Sequence, residues 1–188
     1  MDAVELFESV LKHVEESYTD YNFFCERDIA WTLQRGIWEQ IRKLQLPFRV
    51  FHEYPFDQGK GRPAMDLAIL DLSSKYPVKV ALELKYEPDH KRQGKDIRPD
   101  KYPKGKVREA TFWTAQANGG SVQEDISRTN KLLDTGKVEV AYAILVDEGG
   151  FHHATRQPFP DCEWIQWKPK DSSLSPWVHR FKKSISNP

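Results

Sequence analysis

The stretch that decides the fold is Asp66–Leu72 (DLAILDL), the link Ser73–Pro77 (SSKYP), and Val78–Tyr86 (VKVALELKY). The first segment is a short, nearly continuous apolar run, as expected of a strand covered on both faces. The second alternates: Val78, Val80, Leu82, Leu84 and Tyr86 point one way, and Lys79, Ala81, Glu83 and Lys85 the other. The link is turn chemistry, so the two segments are predicted to pair as an antiparallel hairpin. If the turn centres between Ser74 and Lys75, Asp66 faces Glu83 and Ala68 faces Ala81. Opposed residues share a sheet face, and Lys85 joins it two positions on. Like charges opposed on a mostly buried hairpin repel, and each is costly to desolvate. A divalent cation relieves that cost, since two carboxylates plus a substrate phosphate are a usual way to hold Mg²⁺. A lysine beside them suits positioning or activating a water, or neutralising charge at phosphorus.

Outward from the hairpin, Phe48–Tyr54 is a β-rich segment ending at Pro55. Before it, a helix is predicted over Phe24–Leu44, closed by Pro47. On its wheel Glu26 falls in the same stripe as Ala30, Leu33, Ile37, Ile41 and Leu44, which predicts a buried acid, while Glu39 falls on the polar side. Val4, Phe7, Val10, Leu11 and Val14 predict a first helix over 2–18. After the hairpin, 87–120 is irregular and rich in Pro, Gly and charge. Ser121 then opens a helix with an S-x-x-E capping box to Glu124. Val122, Ile126, Thr129 and Leu133 form its inner face, and Gly136 ends it. Lys137–Val146 (KVEVAYAILV) is a strand, Asp147–Gly150 turns into a short strand at Phe151, and Glu163–Trp167 is an edge strand. The expected architecture is α/β (α+β mixed): a central mixed sheet flanked by helices on both sides.

The 188 residues suit one domain, and six Trp, seven Tyr and ten Phe argue against disorder. No apolar run approaches the ~18 residues of a membrane span, and the acidic, amphipathic opening is unlike a secretory leader. Cys25 and Cys162 make neither a disulfide framework nor a zinc cluster. A cytoplasmic, reducing setting without membrane partners is therefore expected.

Lys plus Arg balance Asp plus Glu at 28 each, which excludes a general polyelectrolyte binder, but the charges are segregated. Residues 1–28 carry eight acids against Lys12 and Arg27, whereas 85–108 carry nine bases against four acids. Such asymmetry is compatible with a locally held anion, as it is with a solvated basic loop. Lys91, Arg92, Lys95 and Arg98 in that loop, Lys60 and Arg62 in Gly59–Arg62 (GKGR), and Arg128 and Lys131 on the Ser121 helix are the candidate phosphate contacts.

Asp66, sixteen intervening residues, and then Glu83-Leu84-Lys85 on a strand resemble the PD-(D/E)xK, or restriction-endonuclease-like, nuclease superfamily. The α-β-β-β-α-β order is similar to its core over about 24–147, the N-terminal helix and C-terminal strands being additions to a single domain over 1–188. Glu26 matches the acid often found on that family's first core helix. Glu26–Thr32 (ERDIAWT) is also similar to a segment of uncharacterised bacterial proteins, a likeness that implies no activity. Met65 stands where the family's proline would, with Pro63 three residues before Asp66. The other acid-x-lysine triplet, Asp89-His-Lys91, lies in the Pro-rich loop. The resemblance implies Mg²⁺ (Mn²⁺ as substitute) held by Asp66, Glu83 and the Leu84 main-chain carbonyl. It implies a catalytic set of Glu26, Asp66, Glu83 and Lys85, and hydrolysis of nucleic acid, DNA first, by an endonuclease. A homodimer is compatible with the family.

Two competing readings belong beside this one. The chain could be a non-catalytic nucleic-acid-binding or protein-interaction module on the same fold. Alternatively, Asp66 and Lys85 form a cross-strand ion pair with Glu83 at an exposed strand end. His152–His153 as strand neighbours point to opposite faces and make a poor metal pair; Trp164 and Trp167 have opposite parity, so at most one could stack on a base.

Overall fold

The computed structural model describes residues 1–56, 64–73, 78–89, 110–114, 120–170 and 174–185. Two helices come first. In α1 (Ala3–Glu16), Asp2 accepts from the amides of Val4 and Glu5, and Glu5 returns a bond to the Asp2 amide. The expected helix over 2–18 stops short, because the chain tightens into a 3₁₀ turn at Tyr18–Asp20. In α2 (Glu26–Leu44), Asp28 reaches back to the amides of Phe24 and Cys25, donors that a helix start otherwise leaves open. Gly36 lets α1 and α2 touch: a Cβ there would sit 2.8 Å from Cγ1 of Val10.

A six-stranded mixed sheet follows, in the order β1-β2-β3-β4-β6-β5. Its strands are β1 (Phe48–Pro55), β2 (Ala64–Asp71), β3 (Val78–Glu87), β4 (Val138–Asp147), β5 (Cys162–Gln166) and β6 (Trp177–Ser184). The β2–β3 hairpin is antiparallel with Ala68 opposite Ala81 and Leu67 opposite Leu82, the expected register. β3 and β4 run parallel, which requires a crossover element. That element is α4 (Val122–Asp134), preceded by the short α3 (Ala110–Trp113). Ser121 and Glu124 form the capping box, and Gly136, at φ 66°, takes the left-handed position after the last turn.

Leu6, Phe7 and Val10 of α1 and Ile29, Leu33 and Ile37 of α2 bury one sheet face with Leu67, Leu82, Leu84, Tyr142 and Ile144. α4 covers the other, where Ala68, Ala81 and Ala141 give Leu133 room to approach. Val122 and Ile126 pack there with Leu145 and Phe181. Both faces of β3 are thus covered, so the polar half of its alternation lies under a helix.

Other expectations change as well. Phe151 starts not a strand but the helix α5 (Phe151–Thr155), because the Asp147 carboxylate accepts the amides of Phe151 and His153 and winds the chain into a turn. β6 inserts between β4 and β5, leaving β5 as the edge strand that Glu163–Trp167 suggested. Glu26 is not buried: as the first residue of α2 it stands above the core, its side chain 41% exposed. Among the described residues no helix is long and apolar enough to cross a membrane.

Candidate functional site

The site lies where β2 and β3 part. Their register ends at Leu67–Leu82 although both strands run on, β2 back to Ala64 and β3 to Glu87. Beyond that pair a side chain replaces the ladder: the Leu84 amide donates to Oδ2 of Asp66 at 2.7 Å. Asp66 is thereby fixed against the main chain between Glu83 and Lys85. The Leu84 side chain is buried on the opposite face, in the core beneath α1 and α2.

Glu83 is 2% exposed. Burial pushes its carboxyl up to about 8, with Asp125 and Asp66 adding to the shift and Arg128 opposing it. Arg128 of α4 donates to Oε1 of Glu83 at 2.6 Å and brings Nη2 to 3.6 Å from Oδ1 of Asp125. Lys85 extends to Asp125 Oδ2 (3.1 Å) and Glu26 Oε2 (3.9 Å). Burial works against its charge, but Asp125, Glu26 and Asp66 together outweigh that and hold the ammonium above its ordinary pKa. Asp125 is also buried, which pushes its carboxyl up to about 6 against the pull of Lys85 and Arg128. Among the described residues its buried Oδ1 has no hydrogen-bond partner.

The structure therefore gathers Glu26, Asp66, Glu83 and Lys85, the four residues the sequence singled out. Neither part of the ion-pair reading holds: Glu83 is buried, and Lys85 pairs with Asp125 and Glu26. Sequence reasoning missed Asp125 as a member. The signal was present, since the periodicity that turns Val122, Ile126, Thr129 and Leu133 inward carries Asp125 along their stripe. Arg128, expected on a solvated or phosphate-facing surface, is instead paired within the cluster, whereas Lys131 is exposed. Lys60, Arg62, Lys91, Arg92, Lys95 and Arg98 lie outside the described residues.

Four acids (Glu26, Asp66, Glu83, Asp125) thus share one neighbourhood with two bases (Lys85, Arg128). The surplus of two carboxylates is met by protons, as the raised positions of Glu83 and Asp125 indicate, or by a cation. Hard oxygen donors of this kind suit Mg²⁺ or Mn²⁺. Among the described residues no group of three or more His, Cys, Asp or Glu is gathered to hold a metal ion.

Elsewhere, His152 is buried and stacked on Phe112 and Trp113, and among the described residues neither ring nitrogen has a hydrogen-bond partner. His153 stacks on Trp177, Trp164 stacks on Trp113, and Trp167 packs edge-on against Tyr18 in the core. Burial pushes the Cys162 thiol up to about 12, away from nucleophilic character. A comparison of the chain with models of known protein families finds no match, and neither does a comparison with curated proteins.

Proposed function

We propose that the chain is a metal-dependent phosphodiesterase with a restriction-endonuclease-like core, acting on nucleic acid, DNA first, as an endonuclease. One observation carries the reading: Asp66, Glu83 and Lys85 meet with Glu26 where β2 and β3 part, and Glu83 is buried there beside the like charges of Asp66 and Asp125. Mg²⁺ would be held by Asp66, Glu83 and the Leu84 main-chain carbonyl, with Mn²⁺ as substitute. Bound there, such an ion polarises a phosphoryl oxygen and lowers the pKa of a coordinated water.

The chain's own residues divide the remaining work. Asp66 is anchored on the Leu84 amide, which holds its Oδ2 against the main chain between Glu83 and Lys85. Lys85 stays protonated at neutral pH, so it donates: it orients a water or steadies charge on phosphate oxygens, and is not a resting base. Asp125 and Glu26 are positioning residues for that ammonium. Arg128 donates to Oε1 of Glu83 and holds that carboxyl in place in the metal-free chain.

A second reading has its own support. The 2.6 Å contact between Arg128 and Glu83 neutralises part of the cluster internally, as a binding or interaction module without catalysis would. Cleavage of labelled duplex, single-stranded DNA and RNA with Mg²⁺, Mn²⁺ or EDTA separates the two. Metal-dependent cleavage lost in Asp66→Ala and Glu83→Gln supports the enzyme. Nucleic-acid binding without turnover of any substrate supports the module.

A further inference from the structure

A cavity of about 710 Å³ opens on the outer side of α2, lined there by Trp31, Arg35 and Trp38 and also by Tyr21 and Phe23. Its size lies within the ~300–1,000 Å³ of ligand sites. Large aromatics on a surface call for a reason, and these are well exposed: Trp31 at 61% and Trp38 at 49%. Seven positions apart on one helix, they sit on the same side, about 10 Å apart along the axis. Arg35 stands between them, and the Arg42 guanidinium lies over Trp38, 4.7 Å from the ring centroid. Tyr21 and Phe23 stack on each other at 5.1 Å.

The polar lining is largely committed. Oδ2 of Asp28 caps the helix start, and the Thr32 hydroxyl donates to the Asp28 carbonyl. What faces a ligand there is aromatic rings and guanidinium planes beside the Gln34 amide, the chemistry that takes up unpaired bases with phosphates beside them. On the wheel of α2, Arg27, Arg35 and Arg42 lie within about 40° of Trp31, while Asp28 and Glu39 lie to one side at about 60–80°. The exposed pairs Arg35–Glu39 and Arg27–Glu53 are too weak to withhold their guanidinium groups from phosphate.

The same helix joins this surface to the carboxylate cluster, because Glu26 at its first position reaches Lys85. On the same wheel, Trp31 and Trp38 lie about 120–140° round from Glu26, so a strand leaving the cluster turns round the helix before it meets them. We infer that the Trp31–Arg35–Trp38 face of α2 is a stacking platform for a single-stranded segment of nucleic acid, bound base by base and without sequence preference. The inference rests on the phosphodiesterase reading above, and names the form of substrate held beside that site.

The test is fluorescence anisotropy of labelled oligothymidylate and of a blunt duplex of equal length. It is run in EDTA at several salt concentrations, so that turnover plays no part. Oligothymidylate should bind more tightly than the duplex. Trp31→Ala and Trp38→Ala should each weaken it roughly 5- to 150-fold, the scale of one stacked base. The slope of log K against log salt should stay unchanged, because no phosphate contact is removed. Trp31→Phe, which keeps a ring, should recover most of the loss, and exposed positions leave the melting temperature a check on folding. Unchanged oligothymidylate affinity in both alanine variants would overturn the platform. So would a dimer in sedimentation that Trp31→Ala converts to monomer, since a second copy would then be the occupant. Metal-dependent cleavage of duplex with no tryptophan-dependent binding sinks the platform alone. Tryptophan-dependent binding with no cleavage of any substrate sinks the phosphodiesterase and leaves the platform standing.

Discussion

The two faces of β3 carry opposite chemistry at neighbouring residues. Leu82, Leu84 and Tyr86 enter an apolar core built with α1 and α2, where shape and burial decide everything. One residue away, Glu83 and Lys85 enter the α4 side, where alanines make room and four carboxylates meet two cations. A strand can thus hold its fold with one row of side chains and keep an unfavourable constellation on the other. The apolar row is what stabilises; the charged row, taken alone, is destabilising.

The sharpest way to separate the rows compares Lys85 with Leu84. If Lys85 acts at the chemical step, Lys85→Ala should lower single-turnover cleavage about 10²–10⁴-fold, the scale of a positioned acid–base group. Binding of nucleic acid should change by only a few-fold. Equal losses of binding and cleavage would make Lys85 a phosphate contact instead. Leu84→Ala should cost about 2–5 kcal/mol in urea unfolding. Glu83→Gln should leave the metal-free protein as stable or more stable at pH 8, because Gln avoids a buried charge yet still accepts from Arg128. A large loss of stability in Glu83→Gln would make the charged row structural and break the contrast.

The pH profile sharpens the contrast without mutation. Glu83 has a folded-state pKa of about 8 against an ordinary value of 4.5, so the folded chain binds the extra proton. Its contribution to stability is therefore present at low pH and lost as pH rises from 4.5 to 8, by up to about 1.4 kcal/mol per pH unit. Asp125 acts with the same sign between 3.8 and about 6. Chemical unfolding of the metal-free protein at a series of pH values should reveal this alkaline decline, and Glu83→Gln should flatten it.

A smaller effect of opposite sign comes from the histidines beside Trp113. Burial depresses both His152 and His179 from 6.5 to about 4. Each holds the fold while neutral, so its contribution is complete above pH 6.5 and lost as pH falls towards 4. His152→Phe, stacked between Phe112 and Trp113, should soften the acid limb of the same profile. An acid limb unchanged by that substitution would assign acid unfolding to other groups.

Much of the site was legible because it depends on local rules. Two strands and a turn set the register that brings Asp66 to β3, and the sixteen-residue spacing to Glu83 carries the rest. The Ser121 capping box and Gly136 bounded α4 for the same reason. What escaped depends on tertiary context. Asp125 and Arg128 gain their meaning only when α4 docks over Glu83. Helical periodicity identified Glu26's stripe, but only its place at the end of α2 decides that it stands half in solvent. β6 reads WVHRFKKS, too charged to stand out, yet it is recruited by pairing with β4 and β5 on both edges. His152 and His153 look like a strand start until the Asp147 carboxylate winds them into α5.

The central claim is that the buried carboxylates of the charged row form a divalent-cation site, and the most direct measurement is the melting temperature with and without Mg²⁺ or Mn²⁺ at pH 6 and pH 8. A cation must displace the proton that Glu83 holds up to about pH 8, so affinity should rise with pH. The account predicts a metal-induced rise in melting temperature, larger at pH 8 than at pH 6 and absent in Asp66→Asn. No rise at either pH, or a rise that Asp66→Asn leaves intact, would contradict it.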